Sequence, residues 1–288
     1  VWESVSTEDK YPEPTSRRRF VKGVVGGAAL SAFAAAGAAG INLTTSPTGE
    51  GGGLIEYYGV NVVGGPAPRP MPQIPIEIDD EGNVLGVWPP VREVTRQGET
   101  VAVAQMRLGD ITYSSEWFQY CGVETFPGLE PTADRDNHFR YAESSQYDWQ
   151  NQEVSPGDPV NVDDFADYRT WGNEIGQPGV GKPASVTWRS EGADAASTIP
   201  VLLIRSDRIG QAARDDAWLR ASTREGFVAI LNKCTHFCCV PGYKIDPASA
   251  RFDAENEIYC PCHQSVYNPF TIIRQSFVAF PRPEEDGE

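Results

Sequence analysis

The sequence predicts a mainly β protein: antiparallel β layers with two cysteine- and histidine-bearing loops at one tip, one N-terminal transmembrane helix, and a β- and loop-rich middle region. Three observations carry this. Short β-branched runs bounded by turn residues recur between residues 74 and 259. Five of the six cysteines and two of the three histidines fall in two stretches, 234–239 and 260–265. An uncharged run rich in Ala, Gly and Val, from 23 to about 43, follows a basic cluster.

Taken in order, Ser16-Arg17-Arg18-Arg19-Phe20-Val21-Lys22 is a twin-arginine sequence, an export address. The run at 23–43 has the ~20 residues that a bilayer-crossing helix needs, longer than the roughly 7 to 15 of a cleaved signal core. It is expected to stay as an anchor, although small residues around Ala34-Ala35-Ala36 would also suit a peptidase. Residues 1–22 are then cytoplasmic by the positive-inside rule, and the rest lies on the outer face. Residues 44–53, with Ser46-Pro47-Thr48-Gly49 and Gly51-Gly52-Gly53, read as a flexible linker.

In the middle region, 54–180, strands are expected at 74–78, 84–88, 101–106 and 111–113, and long loops over 131–180. Tyr113, Trp117, Phe118 and Tyr120 are expected in a core. Cys121 and His138 have no metal-ligand spacing to a partner, so they are read as a buried free thiol and a surface histidine. Residues 181–288 form the last domain, with strands at 199–204, 227–231 and 257–259. One helix is expected at 209–219, with Ile209, Ala212, Ala213 and Ala217 on one side.

Net charge is -16 in 288 residues, with 40% apolar content. It divides unevenly: +1 over 1–41, -15 over 42–180 and -2 over 181–288. Nucleic-acid binding would need a basic face, so it is excluded. Dense carboxylates with Arg favoured over Lys point to a halophilic archaeon as the source.

Each box supplies one cysteine and one histidine at close spacing, Cys234-x-His236 and Cys260-x-x-His263, leaving Cys239 and Cys262 as a matched pair. Two thiolates and two imidazoles suit a [2Fe-2S] cluster with mixed ligation. They also suit a tetrahedral zinc site. A c-type haem would need C-x-x-C-H, which is absent.

Cys234-Thr235-His236-Phe237-Cys238-Cys239 and Cys260-Pro261-Cys262-His263-Gln264-Ser265 resemble the paired boxes of the Rieske iron-sulfur proteins. Val186-Thr187-Trp188-Arg189, Pro200-Val201-Leu202-Leu203-Ile204-Arg205 and Val240-Pro241-Gly242 extend the resemblance over about 181–283. It implies an antiparallel β-sandwich with cluster-binding loops, Cys234, His236, Cys260 and His263 as ligands, and a Cys239–Cys262 disulfide. Ser265 and Tyr267 would hydrogen-bond the cluster sulfurs and raise the potential. Two positions depart from the pattern, Cys238 and Gln264 standing where the family has glycine. Cys238 and Cys239 are therefore both neighbours for Cys262, and spacing favours Cys239. Gly65-Pro66-Ala67-Pro68-Arg69-Pro70 resembles the family's proline-rich cover loop, which there follows the second box. Two readings are open for it: chance similarity, or a segment at 64–80 that packs back on the cluster domain and supplies a strand.

The resemblance implies the iron-sulfur subunit of a quinol-oxidising cytochrome bc-type complex. Its partners would be a cytochrome b-type membrane subunit, quinol, and a c-type cytochrome or small copper protein as acceptor. His263 would meet the quinol hydroxyl and take its proton, with His236 beside it. A Rieske oxygenase is excluded because its second iron needs two more histidines and only His138 remains. The rival readings are the Rieske small subunit of a molybdenum oxidase, arsenite oxidase for example, and a zinc-stabilised binding module.

Overall fold

The structure, a computed structural model, describes residues 53–96 and 99–279. The twin-arginine segment, the anchor at 23–43 and all but the last residue of the 44–53 linker lie outside these residues. Among the described residues no helix is long and apolar enough to cross a membrane.

The chain is mainly β. Strands β1 (Gly53–Gly64), β2 (Met71–Ile74), β3 (Ile76–Ile78), β4 (Val84–Gly86), β5 (Val91–Arg96), β6 (Glu99–Leu108), β7 (Ile111–Ser114) and β8 (Phe139–Tyr141) precede a short helix α1 (Asp148–Glu153). Then come β9 (Lys182–Trp188), β10 (Ile199–Arg205), helices α2 (Asp207–Asp215) and α3 (Ala217–Ser222), β11 (Phe227–Leu231), β12 (Gly242–Tyr243), β13 (Ile258–Cys260) and β14 (Ser265–Ala279). Nine strands form one antiparallel sheet in the order β12-β13-β14-β1-β2-β11-β10-β9-β8. A β3-β4 pair and a β5-β6-β7 meander flank it.

The sheet runs across the line that the sequence draws at residue 180. β1 pairs with β14 along most of its length, β2 pairs with both β1 and β11, and β8 extends β9. Residues 71–74 are thus a strand of the same sheet as 227–231, which is the packed-back reading of the 64–80 segment. The core is shared in the same way. Trp117 meets Tyr57, Tyr113 and Trp218, while Phe118 and Trp88 pack edge-on against Trp188. Tyr113, Trp117, Phe118 and Tyr120 are buried, as core residues should be. Such rings each bury a large apolar area, which gives the middle region's aromatics much of the joint core.

The expected single helix at 209–219 is instead two. Asp216 ends α2 and caps α3, its carboxylate accepting from the Leu219 N–H. An aspartate gains more at an N-cap than in a helix interior, so the chain breaks there. The 131–180 stretch is mostly loop, interrupted by β8 and α1.

Candidate metal centre

Two loops leave the sheet side by side. The first, 232–241, joins β11 to β12; the second, 261–264, is the turn of the β13-β14 hairpin, where Cys260 pairs with Ser265. Both close in the same manner. The Cys238 N–H donates to the Cys234 carbonyl at 2.9 Å, and the Gln264 N–H donates to the Cys260 carbonyl at 2.8 Å. Cys238 and Gln264 have φ of 61° and 63°, the left-handed region where glycine is the default residue. The two positions that depart from the family pattern are therefore the two whose backbone asks for glycine.

The six cysteines sort cleanly. Cys239 is bonded to Cys262 and Cys121 to Cys238, while Cys234 and Cys260 are free thiols, both buried. The expectation of a free Cys121 is corrected: its Cα lies 5.4 Å from that of Cys238, within reach of a bridge. Cysteine arithmetic held the signal. With two ligands and one bridge assigned, Cys121 and Cys238 are the remaining pair. The Cys239 and Cys262 sulfurs also lie within 4.8 Å of the Cys260 sulfur, but bonded to each other they are not available as thiolates.

Cys260 donates to Cys234, which holds Cys234 down to about 5 against the opposing effect of burial and pushes Cys260 up. Tyr267 Oη lies 3.3 Å from Cys234 Sγ and accepts from the Thr235 N–H at 3.1 Å. Burial first, and then Cys234, raise the Tyr267 hydroxyl, so it stays protonated and able to donate. The Ser265 hydroxyl is another group that favours the Cys234 thiolate, yet its oxygen is buried with no hydrogen-bond partner of good geometry.

The His236 and His263 rings stand edge to face with centroids 4.8 Å apart, and Phe237 packs against both. His236 Nδ1 is buried and has no hydrogen-bond partner, while His263 is exposed. An unpaired buried polar atom costs about 1–3 kcal/mol. Two such orphans, His236 Nδ1 and Ser265 Oγ, beside two free thiols fit a bound metal group that ligates the nitrogen and accepts from the hydroxyl.

The Gly65–Pro70 segment runs past both loops. Thr235 Oγ1 donates to the Arg69 carbonyl at 2.6 Å. A Cβ on Gly65 would fall 2.3 Å from the Gln264 carbonyl oxygen, so only glycine permits that approach. Gly65 and Arg69 belong to the run that the sequence offers as a cover, and Thr235 is a site residue to which the sequence assigns no role. The Pro-rich run was the available signal.

His138 is not brought to the loops. Its ring sits half-buried between Asp136 Oδ1 at 2.6 Å and Asp79 Oδ2 at 3.4 Å, rather than freely on the surface. Burial disfavours its charge, but the two aspartates outweigh that and raise its pKa.

No family model, no curated protein and no solved structure matches the chain.

Proposed function

We propose that this chain is a Rieske-type [2Fe-2S] protein, the iron-sulfur subunit of a quinol-oxidising cytochrome bc-type complex. One observation carries the reading. Four of six cysteines are in disulfides, and the two left free, Cys234 and Cys260, are buried on the same two loops whose histidine rings stand 4.8 Å apart. Cys234 and Cys260 would hold one iron, and His236 and His263 the other. When bound, the cluster supplies a one-electron acceptor.

The residues do the rest. The free ring nitrogen of the exposed His263 takes the proton of a quinol hydroxyl as the base. Phe237 and Val240, 65% and 50% exposed, give the loop tip an apolar collar against which a quinol ring or a membrane subunit can lie. Tyr267 and Ser265 direct hydroxyls at the Cys234 side, favouring added negative charge there. Gly65–Pro70 lies against Thr235 and Gln264 of the two loops. That both loops leave the same antiparallel sheet side by side supports a tip that meets partners.

The onward acceptor is a c-type cytochrome or a small copper protein. Two disulfides agree with an oxidising compartment, the outer face of the membrane that the twin-arginine sequence implies. Purification of the intact chain from its native membrane tests the assignment. It should bring down a diheme cytochrome b, with non-haem iron and acid-labile sulfide in equal amounts. Recovery with a molybdopterin subunit, or with zinc in place of iron, would overturn it.

A further inference from the structure

We infer that the Cys121–Cys238 bridge is a clamp that sets the position of His236, which makes Cys121 a positioning residue. The two disulfides on the first loop do different things. Cys239–Cys262 ties one loop to the other, so it limits their separation and leaves the pair free to shift together. Cys121–Cys238 ties the first loop to the body of the protein.

The body-side anchor is firm. Phe118 and Val123, either side of Cys121, are buried in the core. Tyr120 Oη reaches the carbonyls of Lys233 at 3.0 Å and Leu231 at 3.3 Å, at the root of the same loop. Arg69 Nη2 donates to the Gln119 carbonyl at 3.3 Å, and the Arg69 carbonyl accepts from Thr235. Tyr120 and Cys121 therefore hold the first loop at its root and its turn, and Arg69, bonded to Gln119, holds its middle.

His236 needs such a grip because its own side chain has little hold. Its Nδ1 has no partner, and its ring contacts are Phe237, itself exposed, and His263 on the other loop. Its place is set by the turn from Cys234 to Cys238. That turn closes through the Cys238 N–H on the Cys234 carbonyl and the Cys234 N–H on the Cys239 carbonyl, at 2.9 and 2.7 Å, and it holds a non-glycine residue in the left-handed region, which L side chains disfavour. The covalent link to Cys121 holds Cys238 there.

That His236 is an imidazole worth holding rests on the ligand set proposed above; the grip itself does not. The test therefore uses metal-free protein. The chain has three histidines, so ring-labelled histidine gives three signals in the intact chain in detergent. His138, held between its aspartates, reports the body; His236 reports the first loop and His263 the second. In a Cys121→Ser, Cys238→Gly double variant, whose glycine suits the φ of that turn, the His236 signal should split or broaden at least about twofold. His138 should not move, and His263 should shift less than His236. An unmoved His236, or three signals that broaden together, would overturn the clamp.

Hydrogen exchange of the wild-type chain gives a second reading that needs no variant. The Cys238 amide should exchange within about tenfold of the β11 amides, since the clamp lets it open only with the body. Exchange more than about a hundredfold faster would also overturn it. Iron missing from the wild type would count against the ligand set and leave these readings of the clamp unaffected.

Discussion

At the scale of single residues, Tyr267 is the most informative side chain near the thiols. Its hydroxyl is 3.3 Å from Cys234 Sγ and is fixed by the Thr235 N–H. A hydrogen bond to a charged group is worth about 1.5–3 kcal/mol, and the part that strengthens when the site gains an electron raises the potential. With the proposed cluster bound, Tyr267→Phe should retain iron and show a lower midpoint potential in a redox titration; an unchanged potential would remove the hydroxyl from the account. That the two cysteine- and histidine-bearing stretches lie together was legible in the sequence, because their spacing is local. Cys121 was not, since its partner is 117 residues away and nothing local marks it. The conformational reason for Cys238 was equally hidden: a φ of 61° is a property of the folded turn.

At the scale of elements, strands with clean β-branched runs, such as β11 and β10, were readable, and β1 and β14 were not. β1 carries Gly59 in its interior, which weakens the pattern. The structure supplies the reason, for a Cβ there would fall 2.5 Å from the Met71 carbonyl oxygen and 2.8 Å from Pro70 Cβ. β14 contains Pro269, ordinarily a strand breaker. Between Val60↔Ile272 and Asn61↔Asn268 the register slips, so Pro269 sits in a bulge where no ladder N–H is required. Gly59→Ala should destabilise the fold by about 1–3 kcal/mol, the range for overpacking against atoms that cannot move aside. A urea midpoint equal to that of the wild type would show that β1 and β2 do not approach as closely as described.

At the scale of the whole molecule, composition gave the strong acidity and placed it in the middle region, but it could not show that this region shares a sheet and a core with the residues after 180. Long-range pairings of β1 with β14 and β2 with β11 leave no trace in local periodicity. Stability should also carry a pH signature from two groups beside β12 and β13, the half-buried Glu257 and the buried Lys244. Burial raises Glu257 from 4.5 to about 7, with Arg208 opposing. The folded protein thus keeps a proton that the unfolded chain releases, and the stability it contributes is complete below pH 4.5 and lost as pH rises toward 7. Burial, aided by Arg208, lowers Lys244 from 10.5 to about 8, so the unfolded chain binds the extra proton between those values and stability recovers as pH rises through them. Urea midpoints measured across pH should pass through a dip between 7 and 8. Glu257→Gln should flatten the limb below pH 7 and leave the upper limb in place, whereas an unchanged lower limb would clear Glu257 of responsibility. The central claim concerns what Cys234, His236, Cys260 and His263 hold together, and electron paramagnetic resonance on the reduced, iron-loaded whole chain with nitrogen-15 histidine tests it most directly. The account predicts a rhombic [2Fe-2S] signal coupled to two histidine nitrogens, with one coupling lost in His263→Ala or the cluster absent from it; a signal with no histidine coupling, or no iron signal at all, would contradict it.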